Sequence, residues 1–325
     1  MTTSSAADSG TPPDTPLTDP GTGGALHRGR HRPVETSVRV LLVLAALVSV
    51  ATTVGIIVAL AEPTVGFFRQ VDAGEFVSGT SWTPTFARKA YGVLPLVAAT
   101  LVATGIAVVI AVPLGLGSAI YLAEYAAPRS RAALKPVLEL LAGVPTVVYG
   151  FVALFALNPV LQDLWPGERG PAFQNLLVAG IAMGIMIIPT VASVSEDAMS
   201  AVPRGLREGA YALASSKMQA CTRVVLPAAL SGIIAAIVLG VSRAIGETMI
   251  VTIAGGLVSD SVTWNPIDSA ATMTAFIANV SSGDIPVGSL DYDSVFAVGS
   301  LLFVMTFALN ALSIRMVRRF REVYE

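Results

Sequence analysis

The 325-residue sequence has 54% hydrophobic residues, only 13% charged residues and a mean hydropathy of +0.71. A soluble domain carries about 25% charged residues, so this composition argues against a soluble protein and predicts a membrane protein. The single cysteine, Cys221, excludes an intramolecular disulfide and a thiolate metal cluster.

Several apolar runs follow one another, each long enough to cross about 30 Å of hydrocarbon as a helix. The alternating strands of about ten residues that build membrane barrels are absent from the sequence. The predicted fold is therefore an all-α integral membrane bundle of six transmembrane helices. Its spans are expected at about residues 40–61, 91–121, 137–157, 173–194, 224–257 and 295–314.

Polar segments flank the predicted membrane domain, which covers residues 38–320. Residues 1–37 are rich in Ser, Thr, Pro, Gly and Asp and cannot bury enough apolar surface to fold, which predicts a disordered tail. Residues 321–325 form a second short tail. The two histidines, His27 and His31, are interpreted as part of a basic membrane-proximal segment rather than as metal ligands.

The basic residues predict the orientation. If the N-terminus lies inside, 15 of the 20 lysines and arginines fall on inner segments. The positive-inside rule then places both termini in the cytoplasm and requires an even number of spans. The polar, basic segment of residues 204–227 consequently lies in the cytoplasm, between spans four and five.

The third predicted span contains a helix-breaking cluster, Gly143-Val-Pro145-Thr146. Broken helices are tolerated in membranes only where protein or a water-lined path satisfies the freed backbone groups. Thr146 and Tyr149 are candidates to line such a path with their hydroxyls. Two alternatives stay open: the Thr146 hydroxyl could bond back to its own helix, and Tyr149 could serve packing alone.

The fifth predicted span contains Arg243 and Glu247, with only neutral residues for at least ten positions on either side. Inserting a charged side chain at a helix centre costs roughly 2.5–3.5 kcal/mol, so an intramembrane arginine is a candidate functional residue. The two residues are four positions apart and can face each other. The guanidinium fork suits two oxygens of an anion, while Glu247 could neutralise it when no anion is bound. The neighbouring Thr248 belongs to the same candidate pathway. The alternative is an ion pair that only joins helices.

The segment of residues 204–227 is bracketed by Pro203 and Pro227 and is predicted to be helical. Ala210, Leu213 and Ala214 can share one helical face. The alternative is an ordinary solvated loop.

This segment resembles the cytoplasmic Glu-Ala-Ala loop of bacterial ABC importer permeases. The resemblance is carried by an acidic residue, by small residues at fixed spacing and by a Leu-Pro ending, namely Glu208, Gly209, Ala210, Ala214, Leu226 and Pro227. The resemblance implies that the loop docks on an ATPase subunit through Glu208. The sequence departs from the family pattern at Gly209, where the family has Ala, at Ala214, where it has Gly, and at Val224, where it has Ile.

The run from Leu239 to Met249, with Arg-Ala-Ile-Gly-Glu-Thr-Met at its end, resembles the phosphate-specific importer permeases, most closely their PstC subunit. The motif of residues 143–151 is also similar to that family, and the resemblance covers about residues 38–320. It implies a MetI-like bundle in a bacterial cell membrane, paired with a PstA-like second permease. It further implies a PstB-like ATPase dimer that binds ATP and Mg, and a PstS-like extracytoplasmic phosphate-binding protein.

The sequence contains no Gly-x4-Gly-Lys-Ser/Thr phosphate loop, so ATP hydrolysis is expected on a partner chain. We therefore expect no enzyme activity, no cofactor or metal on this chain, and no nucleic-acid partner. One alternative is a permease of the same superfamily for sulfate, molybdate or another oxyanion. A second is a secondary transporter with proton coupling through Glu247, but inverted repeats are not recognisable and the segment of residues 208–227 argues against it.

Overall fold

The computed structural model describes residues 33–84, 86, 88–166, 170–283 and 285–320. Within these ranges the chain forms helices and no β-strand, which confirms the predicted all-α fold. The helices are α1 (Pro33–Phe68), α2 (Ala73–Ser78), α3 (Leu94–Ile120), α4 (Pro128–Ala142), α5 (Thr146–Val152), α6 (Asn158–Leu164), α7 (Leu176–Ser200), α8 (Arg204–Ala212), α9 (Lys217–Ala220), α10 (Leu226–Ala228), α11 (Leu230–Ile245), α12 (Met249–Ala254), α13 (Met273–Ser281) and α14 (Leu290–Phe320). Single π-helical turns follow α3, α5 and α9, at Tyr121–Tyr125, Ala153–Leu157 and Cys221–Val225.

The chain divides into two compact units, Met1–Ile56 and Ile57–Glu325. The described part of the first unit is the N-terminal portion of α1. Most of the predicted polar tail, residues 1–32, lies outside the described residues, as does the tail of residues 321–325. All other helices belong to the second unit.

Five helical stretches are long and apolar enough to cross a membrane. They are Thr36–Phe68, Leu94–Tyr125, Thr146–Leu164, Leu176–Ser200 and Leu290–Val317. A pair of segments bent by 71°, Lys217–Ala228 and Leu230–Ile245, also has the required composition. The six predicted spans are obtained when this bent pair is counted as one.

The third span differs from the predicted residues 137–157. Helix α4 ends at Ala142 with Gly143 as its C-terminal cap, and Pro145 is the N-terminal cap of α5. Proline lacks an N–H and disfavours a helical conformation in the residue before it. The apolar run is therefore divided at Gly143-Val-Pro145, and the span lies at Thr146–Leu164.

The prediction that residues 224–257 form a single helical span is wrong. The chain bends between α10 and α11, α11 ends at Ile245, and α12 follows as a separate helix of six residues. Gly256, just beyond α12, has a φ of +132°, in a region that glycine adopts far more readily than other residues. The helical backbone is thus interrupted on both sides of α12.

Helix α7 lies at the centre of the second unit, between α3 and α11. A methyl group added at Gly180 would lie 2.7 Å from Cβ of Ile106, and one added at Gly115 would lie 2.8 Å from Cβ of Val191. On the other side, one added at Gly240 of α11 would lie 3.0 Å from Cγ2 of Ile187. Small residues at these positions permit the close backbone approach that is common between membrane helices.

An aromatic cluster surrounds Trp82 at the end of the second unit where α3 begins. Trp82 and Tyr91 are only 3% and 6% exposed. Both rings make edge-to-face contacts within the cluster, including Trp82 with Phe276 and Tyr91 with Phe67. Each edge-to-face pair contributes about 0.5–1.5 kcal/mol of stability beyond the burial of apolar area.

Candidate functional site

The segment of residues 204–227 folds as short helices. Helix α8 begins directly after Pro203, and α9 begins after Ser216, whose side chain accepts a hydrogen bond from the N–H of Gln219. The Gln219 side chain in return accepts from the N–H of Ser216, at 2.9 Å. This reciprocal capping box satisfies two backbone donors that the first turn of a helix leaves free.

The turn between α8 and α9 is built on Ala214, which has a left-handed φ of +58°. The N–H of Ser215 donates to the carbonyl of Ala210 at 3.1 Å, and the N–H of Ala214 donates to that of Tyr211 at 2.9 Å. This pair of hydrogen bonds defines the Schellman motif, in which a helix ends at a residue in the left-handed conformation, usually a glycine. Ala214 adopts this turn although its Cβ makes the left-handed conformation sterically unfavourable.

We expect Ala214→Gly to raise the stability of the protein by about 1 kcal/mol, because a left-handed conformation costs a non-glycine residue roughly 1–2 kcal/mol. Ala212→Gly is the matched control, since Ala212 is the last residue of α8 and glycine costs about 0.5–1 kcal/mol within a helix. The thermal unfolding midpoint in detergent should move in opposite directions for the two variants. A decrease in both would contradict the strain at Ala214.

The expectation that Ala210, Leu213 and Ala214 share one helical face is wrong. Helix α8 ends at Ala212, and of the three only Ala210 is buried. Glu208, Gly209 and Pro227 are exposed, and Leu226 is half-buried. Large apolar side chains are exposed next to them, with Leu213 at 84% and Met218 at 69%. The segment therefore presents a surface of mixed polarity that the rest of the described chain does not cover.

Arg243 lies in the last turn of α11 and is half-buried. Its Nη1 donates a hydrogen bond to Oγ1 of Thr190 in α7, at 3.1 Å. Among the described residues Arg243 has no carboxylate partner. An arginine cannot lose its charge in a protein, so this part of an apolar segment contains a cation that forms no ion pair with a described acidic side chain.

The expected pair between Arg243 and Glu247 is not formed. Helix α11 ends at Ile245 with Gly246 as its cap, so the one-turn geometry that would bring the two side chains together is lost. Oε1 of Glu247 instead accepts the N–H groups of Met249 at 3.1 Å and Ile250 at 3.3 Å. The carboxylate of Glu247 thus caps the N-terminus of α12, where a negative charge is favoured by the helix dipole.

Two threonines complete the surroundings of Glu247. The hydroxyl of Thr274, at the start of α13, donates to the carbonyl of Glu247 at 2.6 Å. Thr248 is half-buried at the N-terminal cap of α12, and its own carbonyl accepts from the Thr252 hydroxyl. These contacts fix the turn between α11 and α12, directly after the turn that carries Arg243.

Thr146 and Tyr149 are in the first turns of α5, and the structure gives neither a hydrogen bond to Arg243 or Glu247. The hydroxyl of Tyr149 donates to the carbonyl of Leu141 near the end of α4, at 3.0 Å, and its ring packs against the core. The side chain of Thr146 has no hydrogen bond within the described part of the chain. Tyr149 therefore joins the two helices across the break at Gly143-Val-Pro145.

Sequence reasoning missed a charged cluster between α4 and α7. Glu196 of α7 is 1% exposed, and its carboxylate accepts from the Arg131 guanidinium and from Nζ of Lys135, the latter at 2.7 Å. Ser200 donates to the same carboxylate at 2.9 Å. The exposed Asp197 accepts from Lys135 at 2.9 Å. An acidic residue near the end of a long apolar run is a sequence signal that could have drawn attention to Glu196.

No group of three or more His, Cys, Asp or Glu side chains that could hold a metal ion occurs in the ranges that the structure describes.

Comparison with known proteins shows the family to which this chain belongs. Residues 111–322 match the family model described as the binding-protein-dependent transport system inner membrane component. The chain is 35% identical to the probable ABC transporter permease protein YqgH of Bacillus subtilis, over 88% of this chain and 91% of that protein. It is 34% identical to the phosphate transport system permease protein PstC of Mesorhizobium japonicum, over 75% and 78% of the two chains. It is 38% identical to PstC 1 of Mycobacterium tuberculosis, over 70% and 73%.

Solved structures show the same fold. One is an inward-facing form of the MetNI methionine ABC transporter, with a TM-score of 0.52, 18% identity, and coverage of 71% of this chain and 95% of that chain. Another is a bacterial ABC transporter that imports alginate, with a TM-score of 0.59, 15% identity, and coverage of 90% and 100%. The predicted MetI-like bundle is thereby confirmed. The chain belongs to the family of binding-protein-dependent transport system inner membrane components, and within it to the PstC group of ABC transporter permeases.

Proposed function

We propose that this chain is the membrane-spanning permease subunit of an ATP-driven importer of inorganic phosphate. The observation that carries the proposal is the guanidinium of Arg243, which has no carboxylate partner among the described residues and donates to Thr190 within an apolar segment. A guanidinium presents donors in a planar fork that matches two oxygens of a tetrahedral oxyanion. The names of the PstC relatives supply the substrate, inorganic phosphate.

Both termini and the segment of residues 204–227 are assigned to the cytoplasm, in a bacterial inner membrane. The support is the distribution of basic residues, of which 15 of 20 fall on the inner segments in that orientation. The exposed Glu208 and the apolar Leu213 and Met218 then face the cytoplasm. They form the surface on which we place an ATPase subunit dimer of the PstB type, which would bind ATP and Mg.

Two further partners are part of the proposal. A second permease of the PstA type would complete the pore, and an extracytoplasmic binding protein of the PstS type would deliver phosphate. In this arrangement Glu247 does not neutralise Arg243, because its Oε1 caps α12. Its role is to set the turn that follows Arg243.

The test is uptake of radiolabelled phosphate into vesicles that contain this chain with its co-purifying partners. Uptake should require ATP hydrolysis and should be unaffected by excess sulfate or molybdate. Glu208→Ala should lower uptake and weaken retention of the ATPase. Glu75→Ala, at an exposed glutamate in α2, is the control and should change neither.

Full competition by sulfate or molybdate would reassign the substrate to another oxyanion. Uptake that proceeds without the ATPase would instead indicate a secondary transporter.

A further inference from the structure

The side chain of Arg207 joins three helices. Arg207 belongs to α8, but its Nη2 donates to the carbonyl of Met199 in the last turn of α7, at 2.7 Å, and its Nη1 to the carbonyl of Val202, just beyond α7, at 2.7 Å. Its Nε and Nη2 also donate to Oε1 of Glu124, in the π-helical turn that ends α3, at 3.2 and 3.1 Å. One guanidinium therefore holds α8 against the ends of both α7 and α3.

The four hydrogen bonds of Arg207 restrict the movement of α8 relative to α7 and α3. The carbonyl of Met199 also accepts the N–H of Val202 at 3.2 Å, and the guanidinium adds a second donor at this end of α7, where carbonyls lack the full set of intrahelical partners. The donors of arginine lie in one rigid plane, which fixes direction as well as distance. The side chains of Arg207 and Glu124 are only 19% and 6% exposed. Water therefore competes little for these contacts.

Helix α7 contacts both Arg207, near its C-terminal end, and Arg243. The helix is continuous from Leu176 to Ser200, and its Thr190 accepts the hydrogen bond from Arg243. The nine residue steps from Thr190 to Met199 correspond to about 14 Å of helix. Val191, Ala192 and Met199 are at most 1% exposed, so this length of helix is packed against its neighbours.

We propose that Arg207 is a positioning residue that couples α8 to the membrane helices, so that a movement of α8 is passed through α7 to the arginine site. This inference rests on the proposed function, because the ATPase is what would move α8. While the four hydrogen bonds hold, a displacement of α8 must move the ends of α7 and α3. Without them, α8 can shift while α7 stays in place.

Arg204 provides a matched control within the same helix. It is exposed and has no ion pair or side-chain hydrogen bond in the described part of the chain. The same change, arginine to glutamine, can therefore be made in the same helix at a position without these contacts to α7 and α3.

The experiment measures phosphate transported per ATP hydrolysed, in vesicles that contain the full complex. Arg207→Gln should lower this ratio about fivefold or more, which is the lower end of usual coupling between two sites. ATP hydrolysis itself should continue. Glu124→Gln should lower the ratio less, because the two carbonyl contacts remain. Arg207→Lys should fall between Arg207→Gln and the wild type, and Arg204→Gln should match the wild type.

A ratio that stays constant while uptake and hydrolysis fall together would show that Arg207 only stabilises the fold, and would overturn the inference. If the Arg207→Gln complex fails to assemble, Glu124→Gln and Arg207→Lys decide in its place, and an unchanged ratio in both overturns the inference. A wild-type complex without ATP-dependent uptake would refute the proposed function itself, which is a separate outcome.

Discussion

Arg243→Gln is expected to lower phosphate uptake about tenfold to a hundredfold while the complex still assembles. A hydrogen bond to a charged group contributes about 1.5–3 kcal/mol, and each 1.4 kcal/mol is about tenfold in affinity. Glutamine removes the charge and at least one donor of the fork. Assembly should persist because Arg243 forms no ion pair with a described residue, and its hydrogen bond to Thr190 is a single contact.

Two further variants sharpen this result. Arg243→Lys keeps the charge but loses the planar fork, so we expect uptake between the glutamine variant and the wild type. Arg69→Gln, at an exposed arginine after α1, is the control and should leave uptake unchanged. Full uptake in the lysine variant would count against recognition through two oxygens. Full uptake in the glutamine variant would remove Arg243 from the substrate pathway.

Glu196→Gln is expected to cause the largest loss of stability among single changes in the charged cluster, about 2–3 kcal/mol. The carboxylate of Glu196 is 1% exposed and accepts hydrogen bonds from Arg131, Lys135 and Ser200. Removing one member of a buried charged pair usually costs about 3–5 kcal/mol. The expected loss is smaller because the side chains of Arg131 and Lys135 are 40% and 32% exposed and can regain water.

Asp197→Asn is the matched control, because Asp197 is the next residue and also accepts from Lys135. The side chain of Asp197 is 64% exposed, and exposed pairs contribute only about 0–1 kcal/mol. The thermal unfolding midpoint in detergent should therefore fall clearly for Glu196→Gln and hardly for Asp197→Asn. Equal shifts in the two variants would contradict the importance of burial.

The hydrogen bond to Glu196, followed by that to Asp197, raises the pKa of Lys135 above its ordinary value of 10.5. A raised lysine pKa contributes stability that is complete below the unfolded-state pKa and is lost as the pH rises through the folded-state pKa. The contribution of Lys135 is therefore constant around neutral pH and declines only under strongly alkaline conditions. A difference between wild type and Lys135→Met that varied between pH 6 and pH 8 would contradict this assignment.

The amino-acid sequence by itself determined the class of the protein and its main divisions. Transfer of apolar residues out of water depends on composition, so the membrane spans follow from local hydropathy. The break at Gly143-Val-Pro145 also followed from local chemistry, because proline removes a donor wherever it stands. The sequence also predicted that α8 is helical and that residues 204–227 resemble the family.

Only the tertiary structure decided which charged groups meet. The sequence spacing suggested a pair between Arg243 and Glu247, but α11 ends at Ile245, and Glu247 caps α12 instead. The contact of Arg243 with Thr190 joins residues 53 positions apart, and that of Arg207 with Glu124 joins residues 83 positions apart. Such contacts depend on how α3, α7 and α11 pack. Local periodicity determines which side of a helix is apolar, but the packing of small residues such as Gly180 and Gly240 determines which helices lie side by side.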